Sequence, residues 1–212
     1  MEISHIGHSC FKIVGKSLTV VTDPYESAKV GLKMPKVETD VLTISHGHTD
    51  HSYKEAIKGE YLLLDSPGEY EVKESFFQGI QSYHDEKKGE ERGLNTIFTM
   101  EIDGIHICHL GDLGVELDSE QIEAMNGIDI LMIPVGGYYT IDAKTAVKVI
   151  NDIGPKIVIP MHYKVGTSST VDNIDTLDKF LNEIGEEPEV QEKLKIMQKD
   201  LPEEMKVVVL KS

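Results

Sequence analysis

The chain has 212 residues, 40% of them hydrophobic, and a formal net charge of −16 from 37 acidic and 21 basic side chains. That length and apolar content suit a single domain with a continuous core and exclude a disordered chain. The acidic balance repels phosphate backbones and excludes nucleic-acid binding through a broad basic surface.

The first third reads as short strands and tight turns. Ile3–Ile6, Cys10–Val14 and Leu18–Thr22 are rich in β-branched residues, with Gly15-Lys16 as the turn between the last two. Val41–Ile44 is a further apolar run, Ser52–Lys58 predicts one or two helical turns, and Tyr61–Leu64 extends again. Pro67-Gly68 is a turn signal before strand-like Phe76–Ile80, and the polar stretch Asp85–Gly93 reads as a loop. Asn95–Ile102, the Asp103-Gly104 turn and Ile105–Leu110 form the clearest hairpin. The rhythm then changes. Asp129–Pro134 is a buried-type strand, and Asp142 caps a helix that presents Ala143, Ala146, Val147 and Ile150 on one face. Gly154-Pro155 ends it, and Lys156–Met161 is again a buried strand, which makes a βαβ unit with a parallel pair. Leu177–Phe180 and Val190–Met197 read as charged helices, and Val207–Leu210 as a strand closing a sheet edge. Sheets with one face to bury need helices to cover them, so the architecture is a layered α/β sandwich. It forms one domain over 1–212 with two pseudo-halves, roughly 1–104 and 105–212.

Chemistry concentrates in Ser45-His46-Gly47-His48-Thr49-Asp50-His51, directly after a buried-type strand. Residues two apart in an extended backbone point the same way, so His46 and His48 converge on one ion, with Gly47 leaving the backbone free to bend. Asp50 and His51 are adjacent, point differently, and reach a second ion. Imidazole nitrogen with carboxylate oxygen suits zinc best, with manganese, iron or cobalt as alternatives. One short motif cannot fill two coordination shells. His84, Asp112 in Leu110-Gly111-Asp112, and His162 after Ile157–Met161 each follow a strand, where α/β sheets place their ligands.

This order, His-x-His-x-Asp-His followed by a separate histidine, a Gly-Asp and a final histidine, resembles the metallo-β-lactamase superfamily over Gly7 to His162. The resemblance implies an αβ/βα four-layer sandwich with the site at one edge of two facing sheets. It implies a first metal on His46, His48 and His84, a second on Asp50, His51 and His162, and Asp112 bridging them. Asp23, in Thr22-Asp23-Pro24, matches the family's early aspartate, which orients a ligand histidine; an ordinary turn-starting Asp-Pro has the same sequence. His8, in Gly7-His8-Ser9-Cys10, resembles a subgroup related to ascorbate-6-phosphate lactonases and is either a substrate-facing residue or a core histidine. His5, His106 and His109 read as structural.

The activity expected is hydrolysis of a small ester, lactone or phosphoester by hydroxide held on two divalent ions, zinc foremost, with Asp50 and Asp112 as the carboxylates of the reaction centre. Paired glycines and tyrosines in Gly136-Gly137-Tyr138-Tyr139-Thr140 are expected to shape the substrate pocket, or else to form a connecting loop. The alternatives on this fold are a phosphodiesterase or nuclease, which needs a basic surface or an RNA-gripping arm, an iron-dependent oxidoreductase, and a non-catalytic metal-binding protein. The diiron group carries glutamate where His48 stands. With no apolar run near the roughly 20 residues that cross a bilayer, no leader-like start and only Cys10 and Cys108, both among apolar neighbours, a soluble cytoplasmic protein with a small-molecule substrate is expected.

Overall fold

The computed structural model describes residues 1–165 and 173–212. A six-stranded sheet runs in the order Leu194–Lys195, Glu2–Gly7, Cys10–Val14, Thr19–Thr22, Val41–Thr43, Leu62–Leu64. An eight-stranded sheet runs Glu189–Gln191, Lys206–Leu210, Ile157–Met161, Ile130–Pro134, Ile105–His109, Leu94–Ile102, Ser75–Tyr83, Gly68–Val72. In the first, Thr19–Thr22, Val41–Thr43 and Leu62–Leu64 are mutually parallel. In the second, Ile105–His109, Ile130–Pro134, Ile157–Met161 and Lys206–Leu210 are parallel in turn. The chain passes from the six-stranded to the eight-stranded sheet between Leu64 and Gly68 and returns to the first at Leu194–Lys195.

Three apolar clusters separate four layers. Between the sheets lie Ile3, Phe11, Val20, Phe98, Met100, Ile107, Met132 and Ile159. Outside the eight-stranded sheet, Leu131, Ile133 and Val158 meet Ala146, Val149 and Ile150 of the helix Ala143–Ile153 and Phe180 of the helix Leu177–Ile184. Outside the six-stranded sheet, Cys10, Val21 and Leu42 meet Tyr25, Val30 of the short helix Ser27–Val30, and Met34. This is the four-layer αβ/βα sandwich that the resemblance implies, with strands dominant and helices few. Each fully buried Phe, Ile or Leu contributes about 1.5–3 kcal/mol, so the layer between the sheets fixes how they face each other. No helix among the described residues is long and apolar enough to cross a membrane.

Local chemistry explains most of the elements. Asp103 (φ 55°) and Gly104 (φ 76°) both take the left-handed backbone that a two-residue hairpin requires. The Asp142 carboxylate accepts the Thr145 N–H at 2.8 Å and starts the helix, and Gly154 in the left-handed region ends it. The buried face of that helix uses Val149 where Val147 was expected.

Other segments depart from expectation. Val190–Met197 is not a helix: it gives the strands Glu189–Gln191 and Leu194–Lys195, the first in the eight-stranded sheet and the second in the six-stranded one. Leu194 and Ile196 are its buried residues, two apart, so burial follows the strand period. Lys206–Leu210 does not close an edge, because Glu189–Gln191 pairs along its outer side. Ser52–Lys58 yields only the 3-10 turn Lys54–Ala56, followed by Ile57–Lys58 paired with Val37–Glu38. Past Pro67 the chain continues as the strand Gly68–Val72, whose polar sequence hid it.

Candidate metal centre

Both sheets direct the C-terminal ends of their parallel strands to one edge of the sandwich, and the chemistry gathers there. Thr22 leads into Asp23 and Thr43 into Ser45-His46; His109, Pro134 and Met161 lead into Asp112, Gly136 and His162. His84 follows Ser75–Tyr83 on the same edge.

The structure brings the candidate ligands together. Asp112 is buried, and its Oδ2 lies 3.2 Å from His84 Nε2, 3.2 Å from His162 Nε2, 3.3 Å from His51 Nε2 and 3.9 Å from His46 Nε2. The ligand atoms of His46, His48 and His84 lie within 4.8 Å of one another, and so do those of His8, Asp50, His51 and His162. His8 therefore sits in the cluster, buried, with Nε2 3.7 Å from Asp50 Oδ2 and its ring beside His162 at 4.1 Å. His8 (φ 55°), Asp23 (φ 38°) and His162 (φ 54°) hold left-handed backbone that L-residues rarely take, a strain of order 1–3 kcal/mol each that the surrounding packing sustains.

Hydrogen bonds fix which nitrogens face inward. His51 Nδ1 donates to Asp23 Oδ2 at 2.9 Å, which leaves Nε2 facing Asp112, bare once a cation takes the place of its proton. Ser45 donates its backbone N–H to Asp23 Oδ1 at 2.8 Å and its single hydroxyl proton to Asp23 Oδ2 at 2.5 Å. The hydroxyl must then accept from His46 Nδ1 at 2.9 Å, and His46 too turns a bare Nε2 inward. One aspartate thus sets two imidazoles, one directly and one through a serine.

The eight-stranded sheet is braced as well. Asn95 donates to Ser82 Oγ (2.7 Å) and Leu110 O (2.9 Å) while its Oδ1 accepts the Asp112 N–H (2.9 Å). His109 Nε2 donates to Ser9 O at 2.8 Å and Nδ1 accepts the Gly111 N–H, so it joins the two sheets just before Asp112. His5 stacks on Phe11 in the core, and His106 is exposed. Buried Asp85 accepts four backbone N–H groups, from Lys87, Gly89, Glu91 and Arg92 at 2.7–3.1 Å, which shapes the polar loop after His84.

Electrostatics agree with a ligand role. Burial, aided by neighbouring imidazoles, pushes His46 and His8 down to about 3 and lowers His48, so these rings stay neutral and keep a lone pair. Burial alone would lower His51 and raise Asp112, yet the Asp112 and Asp23 carboxylates hold His51 well above the imidazole range, and His162 and His51 hold Asp112 well below the carboxylate range. Positive charge is therefore favoured at His51 Nε2, and a cation there would take the place of its proton. Burial of Asp50 is likewise outweighed by His8 and His51, which lower it. Among the described residues His46 Nε2, His51 Nε2 and Asp112 Oδ1 are buried without a hydrogen-bond partner. Buried polar atoms left so are costly, and a divalent cation satisfies all of them, so the residues fit metal.

A pocket of about 330 Å³ opens over the cluster; His48, Asp50, His84, Asp112 and His162 form its floor, and Lys29, Arg92 and Tyr139 its walls. Tyr138 does not line it; its side chain is 60% exposed and borders an adjoining cavity. A roomier groove of about 460 Å³ beside Tyr70, Phe76 and His106 contains none of the ligands. Sequence reading passed over Ser45, Asp85, Asn95 and Arg92. Only Arg92 carried a signal, as the sole arginine of the chain.

Residues 2–162 match the profile of the β-lactamase superfamily domain. The chain is 32% identical to a UPF0173 metal-dependent hydrolase of Thermoplasma acidophilum, over 77% of this chain and 83% of the relative. It is 27% identical to one of Thermococcus onnurineus, over 90% and 95%. Among solved structures, a candidate zinc-dependent hydrolase of the metallo-β-lactamase superfamily from Thermotoga maritima superposes with a TM-score of 0.83 at 36% identity, over 99% of this chain and 97% of that one. With its ligand cluster at the shared edge of both sheets, the chain belongs to the metallo-β-lactamase superfamily and, within it, to the UPF0173 metal-dependent hydrolases.

Proposed function

We propose that the protein hydrolyses a small ester, lactone or phosphoester at a centre of two divalent ions, zinc in preference to manganese or iron. The observation that carries this reading is Asp112, whose buried Oδ2 lies within 3.9 Å of four imidazole nitrogens drawn from both groups of candidate ligands. His46, His48 and His84 would hold the first ion, Asp50, His51 and His162 the second, and Asp112 both. Bound there, the ions supply Lewis acidity and lower the pKa of water to about 7. The chain's own part is to fix the ligands: Asp23 and Ser45 set the tautomers of His51 and His46, and Asn95 holds the backbone of Asp112. A nuclease role fits poorly with a net charge of −16. The lactonase kinship read from Gly7-His8-Ser9-Cys10 draws no support from the relatives described above, so a lactone is one bond type among three. Free, buried Cys10 and Cys108 fit the reducing cytoplasm.

Elemental analysis of protein purified without chelator should approach two equivalents of metal. A value near zero after reconstitution would remove the reading; iron as the only metal retained would redirect it to redox chemistry. A screen of the loaded protein against lactones, thioesters and phosphodiesters, with Asp112→Ala as control, then identifies the bond.

A further inference from the structure

The pocket over the metal ligands contains the only arginine in the chain. Its guanidinium makes no ion pair among the described residues, in a protein with 37 carboxylate side chains. Glu91, its sequence neighbour, pairs instead with Lys87 at 2.6 Å. The contact Arg92 does make is with the ring of Tyr139, 5.5 Å from guanidinium carbon to ring centroid. A ring face restrains a guanidinium without neutralising its charge or using all of its five N–H donors. The backbone beneath is preset as well: the Arg92 N–H donates to Asp85 Oδ2 at 2.7 Å, so that carboxylate is spent on the loop rather than on the guanidinium. A half-buried guanidinium with no ion pair among the described residues, held at the wall of a reaction pocket, is a receptor for a planar or tetrahedral oxyanion.

We propose that Arg92 binds an oxyanion group of the substrate, a carboxylate or a phosphate monoester, placed beside the bond that is hydrolysed. The protein would thereby select small anionic substrates. This rests on the hydrolase reading for the location of the scissile bond, but not for the existence of the anion site.

The test uses the full, metal-loaded chain as wild type, Arg92→Gln and Arg92→Lys, with metal content matched by elemental analysis. In the first arm, calorimetry follows glutarate and methylphosphonate, neither of which is consumed. At least one should bind the wild type and lose tenfold or more in affinity in Arg92→Gln, with partial recovery in Arg92→Lys; the anion that loses more identifies the carboxylate or the phosphoryl class. No binding to wild type, or equal affinity in all three proteins, would overturn the proposal, the latter because the metals alone would be holding the anion. In the second arm, mono-p-nitrophenyl glutarate is compared with its neutral methyl ester. Wild type should favour the charged ester by tenfold or more in kcat/KM, and Arg92→Gln should bring that ratio close to one. Turnover of both esters at a ratio that Arg92→Gln does not move would overturn the anion site and leave the hydrolase reading standing. Turnover of neither, with Arg92-dependent binding in the first arm, would strike ester hydrolysis and support the anion site.

Discussion

The two sheets deliver their ligands in contrasting ways. Of the candidate ligands, the six-stranded sheet supplies His46, His48, Asp50 and His51 from one loop, while the eight-stranded sheet supplies His84, Asp112 and His162 from three separate strand ends. The first arrangement is local and roomy: a Cβ added at Gly47 would meet nothing within 4 Å. The second depends on backbones in direct contact. A Cβ at Gly114 would lie 2.3 Å from the carbonyl carbon of His84, and one at Gly136 would lie 2.0 Å from His162 O. A contiguous motif thus carries the chemistry in its residue types, whereas a distributed set must be placed by packing between segments remote in sequence.

Asp112 is where this contrast should show most. It touches imidazoles from both sheets, so Asp112→Ala should reduce metal content from two equivalents toward zero, whereas His84→Ala should remove about one. Loss of the carboxylate would also leave the two ions proposed above with less shielding between like charges. Parallel metal titrations of the two variants check this, and equal losses would show that the ligands are divided differently.

The glycines come next. Gly136→Ala and Gly114→Ala each force a Cβ into a neighbouring backbone and should cost about 3 kcal/mol or more, whereas Gly47→Ala should stay within about 0.5 kcal/mol. In a chain of this size that corresponds to a fall in Tm of roughly 6–12 °C against a change of 2 °C or less. Thermal melts of the three variants would settle it. Equal tolerance would mean that the eight-stranded side yields as readily as the loop.

The same contrast decides what was legible in the sequence. Three histidines and an aspartate inside six residues announce a metal site, because the types and their spacing lie in one window. Strands with strong alternation and the Asp103-Gly104 hairpin were equally plain. Asn95 was not, because a lone asparagine in a strand takes its meaning from Leu110 and Asp112, fifteen and seventeen residues away. Nor was the clasp around Asp85, whose partners are backbone groups and leave no mark on composition. Val190–Met197 misled for a different reason. Val190, Leu194 and Met197 fall at helical spacing, yet Val190 and Met197 are exposed while Leu194 and Ile196 go inward. The apolar residues that set the apparent period were not those that the fold buries.

Tautomer control gives a subtler comparison, since Asp23 belongs to the six-stranded side but governs ligands through hydrogen bonds alone. Asp23→Asn keeps its shape and removes the charge that holds the His51 proton and, through Ser45, orients His46. Metal affinity should fall about 10–100-fold, the usual effect of losing a partner to a ligand histidine, with the fold retained by circular dichroism. Competition with a chromogenic chelator measures it. Unchanged affinity would mean that the ligands themselves fix the rings.

The smallest effects belong to the two adjacent tyrosines, which test whether the pocket wall follows the same rule of placement over residue type. Tyr138 and Tyr139 are identical in kind and touch edge to face at 4.7 Å, but only Tyr139 lines the pocket and lies under Arg92. Tyr138 is 60% exposed, so Tyr138→Phe removes a hydroxyl that water already solvates and should leave kcat/KM within twofold. Tyr139→Phe keeps the ring face and should also change little. Tyr139→Ala removes it, and a partly exposed cation–π contact of about 0.5–1 kcal/mol corresponds to roughly a 2–5-fold rise in KM for an anionic ester. If the ring only positions Arg92, kcat and metal content stay constant and the rise is confined to charged substrates, because a neutral ester does not use the guanidinium. A Tyr139→Phe loss as large as that of Tyr139→Ala would assign the hydroxyl, rather than the ring, to the substrate. An effect of Tyr138→Phe exceeding both would mean that the wall of the pocket is formed by the residue now facing solvent.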